Sequence, residues 1–162
     1  MKIFFLVVVM SGWTISGAAV DTHWQPLNKT ATLQQQVNFA DKPWRLKTFT
    51  AAPAIDWDMD GKVETDIFSK IEDCEKDDLL ILRKGGTVIR DTGNKLCEDQ
   101  DAGKQEAGTW AYDAAAKRLT LTENGRSQAY TVAEASAGKL VLVYKWKTTK
   151  GKSHEITAVY IR

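Results

Sequence analysis

The chain has 162 residues, 43% of them hydrophobic and 27% charged, and 22 Lys+Arg against 21 Asp+Glu give a net charge of +1. That is one domain of ordinary size, and its balanced charge argues against a non-specific nucleic-acid binder, which needs a basic surface to neutralise phosphates. Two cysteines are too few for a disulfide-dense scaffold or a four-cysteine zinc site, and two distant histidines leave little material for histidine-based catalysis.

The first predicted element is an address. Met1-Lys2 precedes the unbroken apolar run Ile3 to Met10, small mixed residues follow, and Ala18-Ala19-Val20 leads into polar Asp21-Thr22-His23. A positive start, a short apolar run and a small-residue zone make a secretory signal peptide over 1–19, with Gly17 and Ala19 at the −3 and −1 positions. The run is shorter than the roughly 20 residues a spanning helix requires. No cysteine lies near the cleavage zone, so no lipid anchor is expected, and the mature protein is placed in the periplasm or outside the cell. Removing the leader takes away one lysine and no acid, which brings the formal charge to zero. In an oxidising compartment Cys74 and Cys97 are read as a disulfide. It closes a loop of roughly 24 residues, worth about 3 kcal/mol in the chain-entropy model. A reactive or metal-binding thiol pair fits less well, because the spacing is no redox motif and neither cysteine has a histidine nearby.

Residues 20–43 read as a leader segment in which 30–39 can form a short helix, with Leu33, Val37 and Phe39 on one side. From Trp44 the period changes. Short alternating runs are predicted as strands over 45–51, 78–83, 86–91, 108–113, 117–123, 127–133, 139–147 and 153–161. Leu140, Leu142, Tyr144 and Trp146 alternate with Lys139, Lys145 and Lys147, and Ile156, Ala158 and Tyr160 repeat the pattern. Gly85-Gly86, Asn124-Gly125, Gly138 and Gly151 mark tight connections. Only residues 52–77 interrupt the meander at length, with a helix predicted over 65–73 that places Ile67, Phe68, Ile71 and Cys74 on one side. Eight meandering strands point to an all-β, antiparallel up-and-down barrel, whose closure removes exposed edges. A two-sheet sandwich shares the local pattern. No further segment is apolar enough to span a membrane as a helix, and a monomer is expected.

The interruption contains the sharpest chemical signal. In Asp56-Trp57-Asp58-Met59-Asp60-Gly61-Lys62-Val63-Glu64-Thr65-Asp66, oxygens at loop positions 1, 3 and 5 can converge on a hard cation. The glycine at 6 permits a sharp turn, and position 7 offers the Lys62 carbonyl. Glu64 can ligate directly or through water. The bidentate Glu of an EF-hand is missing, since position 12 is Ile67, and Asp66 arrives one residue early. The predicted metal set is therefore Asp56, Asp58, Asp60, Lys62, Glu64 and Asp66. Structural calcium is the expected ion, and a solvated acidic turn is the alternative.

Trp44-Arg45-Leu46, the acidic loop ending on Asp66, Cys74-Glu75-Lys76-Asp77-Asp78 before a strand, the Gly85-Gly86 hairpin, Cys97, and Gly108-Thr109-Trp110 occur in an order that resembles the lipocalin-like domains of secreted and envelope proteins in bacteria. The resemblance covers 44–162. It implies an eight-stranded barrel, with Trp44 closing its bottom, and it supports the Asp-rich loop as an intended feature. It fixes no ligand.

No catalytic residues emerge. His154 and Glu155 are adjacent on a strand and face opposite sides, so they form no dyad, and the chain reads as non-enzymatic. Trp110, Tyr112, Tyr144, Trp146 and Tyr160 either fill the core or line a cavity. Two functions follow. One is a barrel carrying a small hydrophobic molecule. The other is a filled barrel whose loops engage an envelope protein partner.

Overall fold

The computed structural model describes residues 38–98 and 102–162. The signal peptide and the helix predicted over 30–39, apart from its last two residues, lie outside them. Nine strands form one sheet: β1 (Pro43–Ile55), β2 (Glu64–Asp66), β3 (Leu79–Leu82), β4 (Thr87–Asp91), β5 (Lys104–Asp113), β6 (Arg118–Glu123), β7 (Arg126–Ala135), β8 (Lys139–Lys147) and β9 (Ser153–Ile161). Each barrel strand pairs antiparallel with the next, and β9 returns to pair with β1 from Arg45↔Ile161 to Ala52↔Glu155. The result is a closed eight-stranded barrel with one extra strand, and the sandwich alternative falls.

All eight predicted strands are present, with β1, β5 and β7 longer than their runs. The ninth, β2, exists because β1 outreaches its neighbour. β3 pairs only with Pro43–Arg45, which leaves the later part of that edge bare, and β2 covers it at Thr50↔Asp66 and Ile55↔Glu64. This corrects the helix predicted over 65–73. Residues 64–66 are extended, and only Phe68–Lys70 make a single 3-10 turn. The apolar stripe that suggested a helix has one anchored member. Ile67 is fully buried and its N–H donates to the Phe49 carbonyl at 2.8 Å, which ties the chain to β1 instead of to a helix of its own. Among the described residues no helix is long and apolar enough to cross a membrane.

The strands run between a floor and a mouth. The floor carries the short β3–β4, β5–β6 and β7–β8 turns and the turn at 38–41. The larger apolar cluster sits here: Phe39, Trp44, Leu80, Leu82, Val88, Leu119, Leu121, Val132, Leu140 and Leu142. Trp44 is wholly buried and its indole N–H donates to the Phe39 carbonyl at 2.7 Å. The residues before β1 thus plug the barrel from below. A second cluster of Ala51, Ile55, Ile67 and Ile156 lies toward the mouth, with Phe49, Trp57 and Tyr144 against it.

Two mouth loops are fastened to each other. Cys74 and Cys97 form the expected disulfide, with Cα atoms 5.4 Å apart. Beside it, Asp77 Oδ2 accepts the N–H groups of Asn94 (2.8 Å) and Lys95 (3.2 Å). Those bonds, Asn94's first, hold the Asp77 carboxyl below its ordinary range.

Candidate functional site

The interior has three levels. Against the floor, Trp110 and Tyr112 lean on Phe39, with ring centroids 5.9 and 5.2 Å away, and the Trp110 indole donates to the Arg83 carbonyl at 2.8 Å. This level is packed.

The middle level is polar. Arg90 sits opposite buried Leu80, and Glu123 closes β6 opposite Gly108. Both therefore point inward from strands separated by β5. Their side chains meet in a two-pronged pair, Nε–Oε1 at 2.9 Å and Nη2–Oε2 at 3.0 Å. The pair bridges β5, whose Gly108 lies opposite Glu123 and so close to β6 that a Cβ there would overlap the Thr122 carbonyl oxygen. Tyr130, Tyr144 and Tyr160 share this level, and the first two touch edge to face at 5.1 Å. Burial pushes the hydroxyls of Tyr130 and Tyr160 up and that of Tyr144 up to about 12, so all three stay protonated and can donate. Burial also acts on Arg90, although Glu123 outweighs it and raises the guanidinium. Yet 45% of the Arg90 side chain remains accessible. Arg90 therefore stays within reach of solvent although its strand position faces the barrel interior.

The mouth is aromatic and basic. Trp57 stacks edge to face on Phe49 at 5.3 Å and lies 6.3 Å from Trp146. Beyond them a pocket of about 740 Å³ opens between the end of β1 with its following loop and the β8–β9 hairpin. Its lining includes Met59, Val63, Lys147, Lys150, Lys152 and His154.

The acidic loop flanks this mouth. Oxygens of Asp56, Asp58 and Asp60 lie within 4.8 Å of one another. Asp56 Oδ2 accepts the Gly61 N–H at 3.1 Å and Asp60 Oδ1 that of Lys62 at 2.8 Å, so positions 1 and 6 close the turn as the spacing requires. The cluster also has a cation from within the chain. Lys70 Nζ stands 2.9 Å from Asp58, 3.3 Å from Asp60 and 3.1 Å from Glu64. The Lys70 ammonium holds the Asp58 carboxyl below its ordinary range, and Lys70 is raised in turn by Asp58 and Glu64. The donor set is all oxygen and suits a hard divalent cation, but such an ion would have to displace the ammonium.

With the barrel and its interior described, the family follows. A profile for the lipocalin-like domain matches residues 42–142. The chain belongs to the lipocalin-like domain family. No curated protein matches it in sequence. Among solved structures it is similar to bovine odorant-binding protein, in complexes with a selenium-containing odorant (TM-score 0.42), with undecanal (0.41) and with its natural ligand (0.40). Identity is 12% in each case, over 80% of this chain and 73%, 74% and 74% of those chains respectively.

In this lipocalin-like domain the five aromatic candidates separate by level: Trp110 and Tyr112 at the floor, Tyr144 and Tyr160 in the middle, Trp146 at the mouth. Of the six metal candidates, Asp56, Asp58 and Asp60 converge, Glu64 joins them through Lys70, and Lys62 contributes its N–H. Asp66 lies on β2 opposite Thr50, outside that cluster, because the chain is already strand at this point. Sequence reasoning missed Arg90, Glu123 and Lys70. The only available signal for the first two was a charged residue keeping step with the apolar positions, Arg90 with Val88 and Glu123 with Leu119 and Leu121.

Proposed function

We infer that this lipocalin-like domain is a non-enzymatic binding protein that works in the periplasm or outside the cell and holds a small, largely apolar molecule in the barrel. The observation that carries the reading is the middle level, where Arg90, Glu123 and the three tyrosines face accessible interior space above a packed floor. Eight strands enclose room for side chains or one small ligand, and ligand cavities pair apolar walls with a few placed polar groups. The expected ligand has an apolar body and a carbonyl or hydroxyl that meets the Tyr hydroxyls or the free edge of Arg90. The disulfide supports the compartment, since such bonds persist where thiols are not kept reduced.

Native mass spectrometry of the protein purified from its own cell tests this. A co-purifying small molecule that is lost on Tyr160→Phe or Arg90→Leu substitution is the expected result. An empty barrel retained on an envelope protein would replace this reading with the interaction module.

The loop at 56–64 is proposed to bind calcium as a structural ion. Its support is the oxygen convergence and the closed 1-to-6 turn, and its competitor is Lys70.

A further inference from the structure

We propose that the ligand of the barrel enters and leaves through the side wall, by a notch between β7 and β8 that Tyr130 and Tyr144 close as a gate. This rests on the barrel reading and adds to it the route by which the interior is filled.

The notch is a break in one ladder. β7 and β8 pair from Ala135↔Leu140 to Thr131↔Val143 and no further. Both strands nevertheless continue toward the mouth. β7 keeps its pairing with β6 from Tyr130 to Arg126, and β8 keeps its pairing with β9 from Tyr144 to Lys147. The free edge of β7 follows from one bond. The Val132 N–H donates to the Lys117 carbonyl, on the β6 side, at 2.8 Å. Backbone groups alternate along a strand, so those of Ser127 and Ala129 face β8. The Ala129 carbonyl accepts the side-chain amide of Gln128 at 2.9 Å, a local partner in place of a strand. A pocket of about 410 Å³ lies at the break, and its lining joins outward Arg118, Ala129, Lys145 and Glu155 to inward Tyr130 and Tyr144.

The inner end of the break is the middle level of the barrel. Tyr130 lies opposite buried Leu119 and Tyr144 opposite buried Ile156. Their rings meet edge to face at 5.1 Å across the break, so a side-chain contact closes the wall where the ladder does not. One aromatic contact is a weak restraint. Among the described residues neither hydroxyl has a hydrogen-bond partner to reinforce it. Rotation of either ring therefore opens the wall without unpairing a strand. The other approaches are more obstructed. The floor is packed around Phe39 and Trp44. On the β1–β9 side of the mouth Ala51, Ile55, Ile67 and Ile156 are buried together, with Phe49 and Trp57 against them. A molecule arriving from above meets that cluster, whereas one passing the notch meets the tyrosines of the middle level at once.

The test uses N-phenyl-1-naphthylamine, a neutral apolar probe that brightens in apolar surroundings, mixed with the purified protein by stopped flow. Tyr130→Ala and Tyr144→Ala are each expected to raise the association and dissociation rate constants together, by about tenfold, the weight of one aromatic contact. Kd should change by less than about threefold, because a gate alters the barrier and not the end states. Trp57→Ala, at the mouth, should leave both rate constants within about twofold of the parent. In the parent protein, without any probe, amide exchange should be at least about tenfold faster at Ser127 and Ala129 than at Gln128 and Tyr130, whose N–H groups face β6. The proposal is overturned if Trp57→Ala speeds probe exchange and the tyrosine variants do not. It is overturned if the tyrosine variants speed dissociation alone, which would make the two rings ligand contacts, or if Ser127 and Ala129 exchange as slowly as their neighbours. These three outcomes leave the barrel reading standing, whereas a probe that does not bind at all overturns both.

Discussion

Arg90 and Glu123 meet across β5, two hydrogen bonds of 2.9 and 3.0 Å joining strands that are not neighbours in the sheet. The pair spans β5 and presents the remaining guanidinium edge to the interior. A charged pair with part of its surface open to water avoids the full desolvation cost of a buried one. Leaving either partner alone is a different matter.

Arg90→Leu and Glu123→Leu are each expected to destabilise the fold by about 1–3 kcal/mol, because each strands the opposite charge inside the barrel. The double variant should recover most of that loss, giving a coupling energy of the opposite sign to the two single effects. Urea denaturation of all four proteins measures it. Additive losses would mean that the two side chains do not depend on each other.

Gly108 makes the second expectation. A Cβ there overlaps the Thr122 carbonyl oxygen, whereas at Gly138 it meets nothing within 4 Å. Gly108→Ala must part β5 from β6 and is expected to cost about 2 kcal/mol or more. Gly138→Ala, in the β7–β8 turn, should lie within about 0.5 kcal/mol of the parent. Equal midpoints for the two variants would contradict the close approach of β6 to β5 at Gly108.

These two sites also mark where sequence reading stopped. β8 and β9 were legible because Leu140, Leu142 and Tyr144 and then Ile156, Ala158 and Tyr160 keep the period of a half-buried strand. Closure was legible because every link after β3 except that from β4 to β5 is a short turn, and a meander has nowhere else to place its last strand. Arg90 and His154 keep the same parity as their apolar neighbours, but a charged or polar residue in an alternating run is ordinarily the outward one. Only the enclosing geometry shows that an open interior can accept them. β2 was illegible for another reason. Its three residues have no strand signal of their own and are extended because β1 runs past β3. Lys70 is similar: its role depends on the 3-10 turn bringing it back over a loop that ends several residues earlier.

The acidic loop gives a prediction about calcium. If the loop takes the ion, calcium at millimolar concentration should raise the thermal midpoint over that in chelator, since a ligand bound only by the folded state stabilises it. Lys70→Gln removes the competing ammonium and should tighten binding and enlarge the shift. An unchanged midpoint in both proteins would end the calcium assignment and leave Lys70 as the cation that Asp58, Asp60 and Glu64 hold.

The same cluster sets a pH window in the absence of calcium. Asp58 is lowered from 3.8 by Lys70, so the favourable contact is complete above that ordinary value and is lost as pH falls below it. Lys70 is raised from 10.5, first by Asp58, so its contribution is complete below 10.5 and is lost only as pH rises beyond it. The loop should therefore hold its structure across the whole range between. Trp57 fluorescence, taken as the difference between the parent and Trp57→Phe, should change only outside those limits. A transition near neutral pH that persists in Lys70→Gln would assign the loop's anchoring to another group.

The disulfide predicts where the molecule loosens first. Cys74 and Cys97 join the β1–β3 crossover to the β4–β5 loop, and neither lies in a barrel strand. The Cys74→Ala/Cys97→Ala variant should lose about 3 kcal/mol yet keep the strand pairing that closes β9 on β1. Asp77 still ties the two loops through Asn94 and Lys95, so Asp77→Ala in the same background should cost more than it does in the disulfide-bonded protein. Amide exchange should speed up at 67–78 and 92–97, and stay slow at Leu140, Leu142 and Ile156. Equal acceleration in those β8 and β9 residues would show that the loops brace the barrel itself.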